Sequence, residues 1–110
     1  WMGMSHALYE TTEPYYPARD HSPKDFAEYL MPGPAELPVI ESVVLEVPSA
    51  NGPYGVKGVG EMTANSPIPA IVNAIFDATG VRVDHLPVRP EDILRGLDEL
   101  AARGAAEGVA

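Results

Sequence analysis

Cysteine is absent from the 110-residue sequence, which excludes several kinds of site. Without cysteine the chain forms no disulfide, binds no metal through thiolates and ligates no iron–sulfur cluster. Basic residues are also few, 7 against 16 acidic ones, and the formal net charge is −9. Because this charge repels phosphate groups and anionic headgroups, the sequence argues against binding to nucleic acid or to a membrane surface.

Long apolar runs are missing as well, since none approaches the roughly 20 residues of a membrane-spanning helix. The first residues also lack the basic region and apolar stretch of a secretory signal. From these features we expect a cytoplasmic protein.

Apolar residues make up 45% of the sequence, enough for a packed core, whereas 12 prolines favour long irregular connections. We interpret residues 1–110 as an incomplete piece of a larger domain. A helical pattern is already under way at Trp1, with no residue before it to cap the helix. A later helix, starting at Ser66 or Pro67 and running to Ala78, is apolar on nearly every side, as in helices that are buried all round.

The hydrophobic pattern predicts an α+β fold with three helices and two or more short strands. The predicted first strand is rich in β-branched residues that nearly alternate between two faces. Residues 104–110 are expected to form a frayed tail. The predicted helices cover 1–10, 66–78 and 90–103, the predicted strands 37–47 and 81–88, and the predicted Pro/Gly-rich loops 11–34 and 49–65.

A glycine-rich loop carries the clearest chemical signal. Four glycines lie between positions 52 and 60, and Glu61 follows them directly. Their order fits neither a P-loop nor the dinucleotide fingerprint G-x-G-x-x-G. The residues alone leave open a general base on an apolar-flanked loop, a carboxylate kept ionised by Lys57, and a surface turn in which both side chains are solvated.

The remaining polar residues indicate structural roles. His6, His21 and His85 are far apart in the sequence and form no i, i+4 pair, which argues against a zinc site. Asn73 and Asp77 lie four residues apart on one predicted helix, where a mutual hydrogen bond or a contact with a neighbouring loop is the expected role.

Several motifs occur in the order found in the xanthine dehydrogenase and aldehyde oxidase family. The run 52–61, followed by 69–82, resembles the C-terminal signature of that family's molybdopterin-binding large subunit. At 62–66, where many relatives carry consecutive prolines, this chain has Met-Thr-Ala-Asn-Ser. Shorter resemblances lie at 3–10, 28–32, 86–87 and 89–91.

This resemblance implies an oxidoreductase that hydroxylates an aldehyde or N-heteroaromatic substrate with oxygen derived from water. It implies that Glu61 lies beside the molybdenum without ligating it and acts as the general base. Of the two glycines expected to bind the cofactor, Gly60 would keep the backbone close to it and Gly58 would give the loop its bend. That cofactor would be a molybdopterin, in the cytosine dinucleotide form if the source is bacterial, with 2Fe-2S and FAD groups on other segments or subunits.

Two alternatives to this function stay open. The parent could be a large subunit of the carbon monoxide dehydrogenase type, or the chain could be a non-catalytic fragment or small subunit that only completes a partner's site. The expected partners are the remainder of the large subunit, the iron–sulfur and FAD subunits or domains, and a small-molecule substrate. The isolated chain is expected to be inactive.

Overall fold

The structure, a computed structural model that describes residues 1–14 and 22–107, consists of helices joined by long irregular segments. Two single 3₁₀ turns, Pro34–Glu36 and Pro53–Gly55, interrupt these segments. The helices are α1 (Met2–Leu8), α2 (Met62–Asn65), α3 (Pro67–Thr79) and α4 (Pro90–Glu107).

The three predicted helices are present, and local chemistry explains where they begin and end. Pro67 and Pro90 occupy the first turns of α3 and α4, where a missing N–H costs nothing. Gly80 ends α3 in the left-handed conformation at φ 74°. Helix α4 continues past Gly104, its predicted end, to Glu107.

The described residues contain no β-strand, so the predicted α+β fold is wrong. Residues 37–47 lie without regular structure, and no backbone hydrogen bond joins them to the rest of the described chain. A strand needs a neighbouring strand to pair with its N–H and C=O groups. Alternation of apolar residues predicted a strand, but the described chain supplies no pairing partner.

The second predicted strand, residues 81–88, is likewise not a strand, but it forms the core of the molecule. Val81, Val83 and Val88 are buried, and the Val88 N–H donates to the carbonyl oxygen of Ala7 in α1 at 2.8 Å. This segment is therefore held by helices rather than by a sheet. Partly buried side chains that pack against these valines are Leu8, Val72, Ile75 and Ile93.

A close junction of α1, α2 and α3 positions the end of the glycine-rich loop. A Cβ atom on Gly3 would lie 2.6 Å from the Ala64 carbonyl oxygen and 2.8 Å from Cβ of Pro67, so only glycine permits this contact. Ala64 is buried at the junction. Because Ala64 follows Glu61 by three residues, the junction holds the backbone on one side of that acid.

Much apolar surface is left open around this small core. Helix α3, predicted to be buried on all sides, has no buried residue. The radius of gyration is 19.3 Å, against about 13 Å for a compact domain near this length. Among the described residues, no helix is both long and apolar enough to cross a bilayer.

Candidate active site

The first half of the glycine-rich loop is a closed turn. The Ser49 N–H donates to the carbonyl oxygen of Gly55 at 3.0 Å, and the Gly55 N–H donates to the carbonyl oxygen of Gly52 at 3.0 Å. Gly55 has φ 76°, and a Cβ atom there would lie 2.7 Å from Cβ of Pro48. Glycine at 55 is therefore required both by its conformation and by the close approach of the chain before the loop.

The second half of the loop is open and leads into α2 through Glu61. Gly60 adopts φ 48°, in the left-handed region. A Cβ atom at Gly58 or Gly60 would meet nothing within 4 Å. Contacts within the described chain therefore do not explain why position 58 is glycine. At position 60 the left-handed backbone conformation explains it. Glu61 precedes the first residue of α2, and its carbonyl oxygen accepts a hydrogen bond from the Ala64 N–H at 2.9 Å.

The Glu61 side chain is exposed and makes no hydrogen bond or ion pair with any described residue. Lys57 is also exposed and forms no ion pair with Glu61, so the interpretation in which this lysine keeps the acid ionised has no contact to support it. Three apolar side chains beside the acid are exposed as well, namely those of Val56, Val59 and Met62. The chain thus presents one carboxylate among apolar groups on an open surface.

A polar cluster that the sequence did not predict joins the end of the core segment to α4. The His85 ring lies between two carboxylates, with Nδ1 3.1 Å from Asp84 Oδ1 and Nε2 2.9 Å from Asp92 Oδ2. Arg95 donates to Asp92 at 2.7 Å. One feature of the sequence could have predicted this cluster, namely an acid in the first turn of α4 that follows a histidine in the preceding segment.

The charges in this cluster shift the pKa values of its members. Hydrogen bonds to Asp84, then to Asp92, raise the pKa of His85. Burial raises the pKa of the Asp92 carboxyl, but the hydrogen bond and charge of His85 and the charge of Arg95 outweigh it, so the pKa is lowered overall. The cluster therefore favours a protonated imidazole between two carboxylates.

We expect the attachment of residues 84–85 to α4 to weaken as pH rises. A histidine pKa raised in the folded state stabilises fully below its ordinary value of about 6.5, and this contribution is lost as pH rises through the raised value. NMR titration should show Asp84→Asn and Asp92→Asn each lowering the His85 pKa, with Asp98→Asn as the unpaired control. An unchanged titration in both variants would contradict the assignment.

Other candidate ligands are not brought together. His6 lies 3.6 Å from Glu10 on α1, and His21 lies outside the described residues. Asn73 accepts a hydrogen bond from Arg82 at 3.4 Å, as expected for a contact with the neighbouring loop. The described part of the chain holds no group of three or more His, Cys, Asp or Glu side chains able to bind a metal ion.

Comparison with known proteins identifies relatives of this chain, although no family model matches it. An aldehyde oxidoreductase from Megalodesulfovibrio gigas is 47% identical over 58 residues, 53% of this chain and 6% of the relative. The xanthine dehydrogenase molybdenum-binding subunit of Escherichia coli O157:H7 is 38% identical over 64 residues, 58% of this chain and 8% of the relative. The resemblance to the xanthine dehydrogenase and aldehyde oxidase family is therefore confirmed over part of this chain.

A further relative within these matches carries a different description. The membrane-bound aldehyde dehydrogenase [pyrroloquinoline-quinone] of Gluconacetobacter polyoxogenes is 53% identical over 51 residues, 46% of this chain and 6% of the relative. The chain thus spans between 6% and 8% of the length of these three relatives.

Proposed function

We propose that the chain is the part of a molybdenum hydroxylase that carries its general base, Glu61. The observation that carries this proposal is an unpaired carboxylate among exposed apolar side chains, on a loop whose end is held by the Gly3–Ala64 junction. A base needs a free carboxylate oxygen, and Glu61 has no partner among the described residues that would compete for it. The enzyme would oxidise an aldehyde or N-heteroaromatic substrate with oxygen derived from water.

Exclusion of water completes the role of Glu61 in this proposal. Val56, Val59 and Met62 are exposed and lie within five residues of the acid in the sequence, and polypeptide packed over this part of the loop would exclude water from it. A carboxylate oxygen of Glu61 would then accept the proton of the attacking water-derived group. The short helix α2 keeps the backbone of Glu61 in place while the side chain acts.

The loop also fits a neighbouring molybdopterin. Gly58 and Gly60 leave open space where a Cβ atom would stand, and no described residue accepts a hydrogen bond from their N–H groups. A cofactor could therefore approach the backbone closely at both positions. We propose the cytosine dinucleotide form, which when bound supplies the two-electron redox chemistry. Glu61 would lie beside the molybdenum without ligating it.

The proposed partners are the remainder of the large subunit and the iron–sulfur and FAD subunits or domains. The chain has no cysteine to ligate an iron–sulfur cluster. Because one acid and two glycines make only part of a site, we expect the isolated chain to be inactive. The cytoplasmic location stays a prediction that cell fractionation would test.

Co-purification tests the proposed class of enzyme. A tag on this chain, expressed in its source organism, should recover a larger polypeptide together with about one molybdenum per complex, measured by elemental analysis. Growth with tungstate in place of molybdate is the control and should leave the polypeptides in place while removing activity. Recovery of an active complex that contains pyrroloquinoline quinone but no molybdenum would contradict the proposal.

A further inference from the structure

Gly3 lies where α1 contacts the short helix α2 and the start of α3. The atom nearest to a Cβ built on Gly3 is a backbone atom, the Ala64 carbonyl oxygen at 2.6 Å, and Cβ and Cγ of Pro67 follow at 2.8 and 3.0 Å. Rotation of a side chain cannot relieve a contact with backbone or with a proline ring. Any larger residue at position 3 must therefore move one of these helices away from the other.

Helix α1 is the more firmly held of the two helices α1 and α2. The Val88 N–H of the core segment donates to the Ala7 carbonyl oxygen in α1 at 2.8 Å. Ser5 and Ala7 are only 3% and 0% exposed. Helix α2 is four residues long, and its one buried residue is Ala64. Because a single helical turn has few hydrogen bonds to resist displacement, we expect α2 to move when the contact at position 3 is widened.

The backbone of Glu61 is tied to α2. Glu61 directly precedes this helix, and its carbonyl oxygen accepts a hydrogen bond from the Ala64 N–H at 2.9 Å. On the other side of the acid, a Cβ atom at Gly60 would meet no described atom within 4 Å. The place of the Glu61 backbone therefore depends on the contact that Gly3 makes with Ala64.

We propose that Gly3 is a positioning residue, which sets the place of the Glu61 carboxylate through Ala64 and α2. The role of the carboxylate rests on the proposed function, whereas the coupling of position 3 to α2 rests on the geometry of the described chain. Ordinary contact begins at 3.4 Å, so an added Cβ would widen the contact by roughly 0.8 Å. A misplacement of about 1 Å can slow a catalysed reaction roughly a hundredfold, because proton transfer needs hydrogen-bond distance.

Amide hydrogen exchange in the chain alone tests the coupling without the cofactor. Alanine favours a helix more than glycine does, so Gly3→Ala should disturb the chain through the contact and not through helix propensity. We expect the Ala64 amide to exchange at least about tenfold faster in this variant, while the Val88 amide, which is bonded to α1, keeps its rate. An unchanged Ala64 amide would overturn the proposal, whether or not Val88 loses protection.

Kinetics of the assembled enzyme test the consequence for the base. Gly3→Ala should lower kcat by about 10- to 100-fold, with KM and molybdenum content close to their original values. In a Glu61→Gln background the same change should have little further effect on kcat, since no base is left to displace. A loss of equal size in both backgrounds would make Gly3 a general structural residue and overturn the proposal.

A second variant covers the case in which Gly3→Ala fails to fold. Ala64→Gly adds no clash but loosens α2, so it should lower kcat in the original enzyme and have little effect in the Glu61→Gln background. Normal kcat in Ala64→Gly, together with a loss in Glu61→Gln, would overturn the positioning role alone. Near-normal kcat in Glu61→Gln would instead overturn the proposed function, and the amide exchange result would stand.

Gly96→Ala is the matched control for a general loss of stability. A Cβ atom on Gly96 would clash with the Val81 side chain in the core, and not with α2. This variant should lower the stability of the chain while the assembled enzyme keeps its kcat. If Gly96→Ala and Gly3→Ala lowered kcat equally, the effect would come from destabilisation and the proposal would be wrong.

Discussion

Replacement of Glu61 by glutamine should abolish most turnover of the assembled enzyme while molybdenum stays bound. Glutamine keeps the size and polarity of the side chain but cannot accept the proton, so we expect kcat to fall by at least about 10²–10⁴-fold, the usual contribution of a positioned base. Steady-state kinetics together with elemental analysis measures both parts of this result.

A matched acid-to-amide change serves as the control for this prediction. Glu99 is exposed on α4 and has no partner among the described residues, so Glu99→Gln should leave kcat unchanged. Glu61→Asp keeps a carboxylate at a shorter reach and should retain more activity than the amide. Near-normal turnover in Glu61→Gln would remove this residue from the chemistry.

Replacement of Val88 by aspartate should unfold the described core. Val88 is 4% exposed and lies with Val81 and Val83 where the three larger helices meet. Because the new carboxylate would be buried among apolar side chains, the cost should be about 3–5 kcal/mol, as for an uncompensated buried charge. Urea denaturation followed by circular dichroism would measure the lost free energy of unfolding.

The same substitution at Val39 provides the contrast. Val39 is 96% exposed, so Val39→Asp should change the free energy of unfolding of the isolated chain by no more than about 0.5 kcal/mol. Equal destabilisation of the isolated chain by both variants would contradict the described core.

The helices were predictable because their signals are local. Prolines at the starts of α3 and α4 and the left-handed Gly80 act within a few residues of where they stand. The end of α4 was predicted too early, since Gly104 lowers helix propensity without forbidding the helix. The cluster around His85 was missed because its partners come from two elements whose approach depends on packing.

The two predicted strands are absent for different physical reasons. At 81–88 the side chains of Val81 and Val83 are buried, but helices rather than a sheet cover them. At 37–47 the backbone forms no hydrogen bond with any other segment of the described chain. Alternation indicates which side chains favour burial. Strand pairing also needs a neighbouring strand, which the sequence of one segment does not specify.

The residue types and their order were sufficient for the helices, the glycine-rich loop and the family, because each depends on local chemistry or on a linear motif. Only the folded chain revealed that Gly3 admits Ala64 at the junction before α3, that Val81, Val83 and Val88 make the core, and that Glu61 lies unpaired on an open apolar surface. Those features depend on contacts between segments far apart in the sequence, and such contacts follow from packing rather than from local preference.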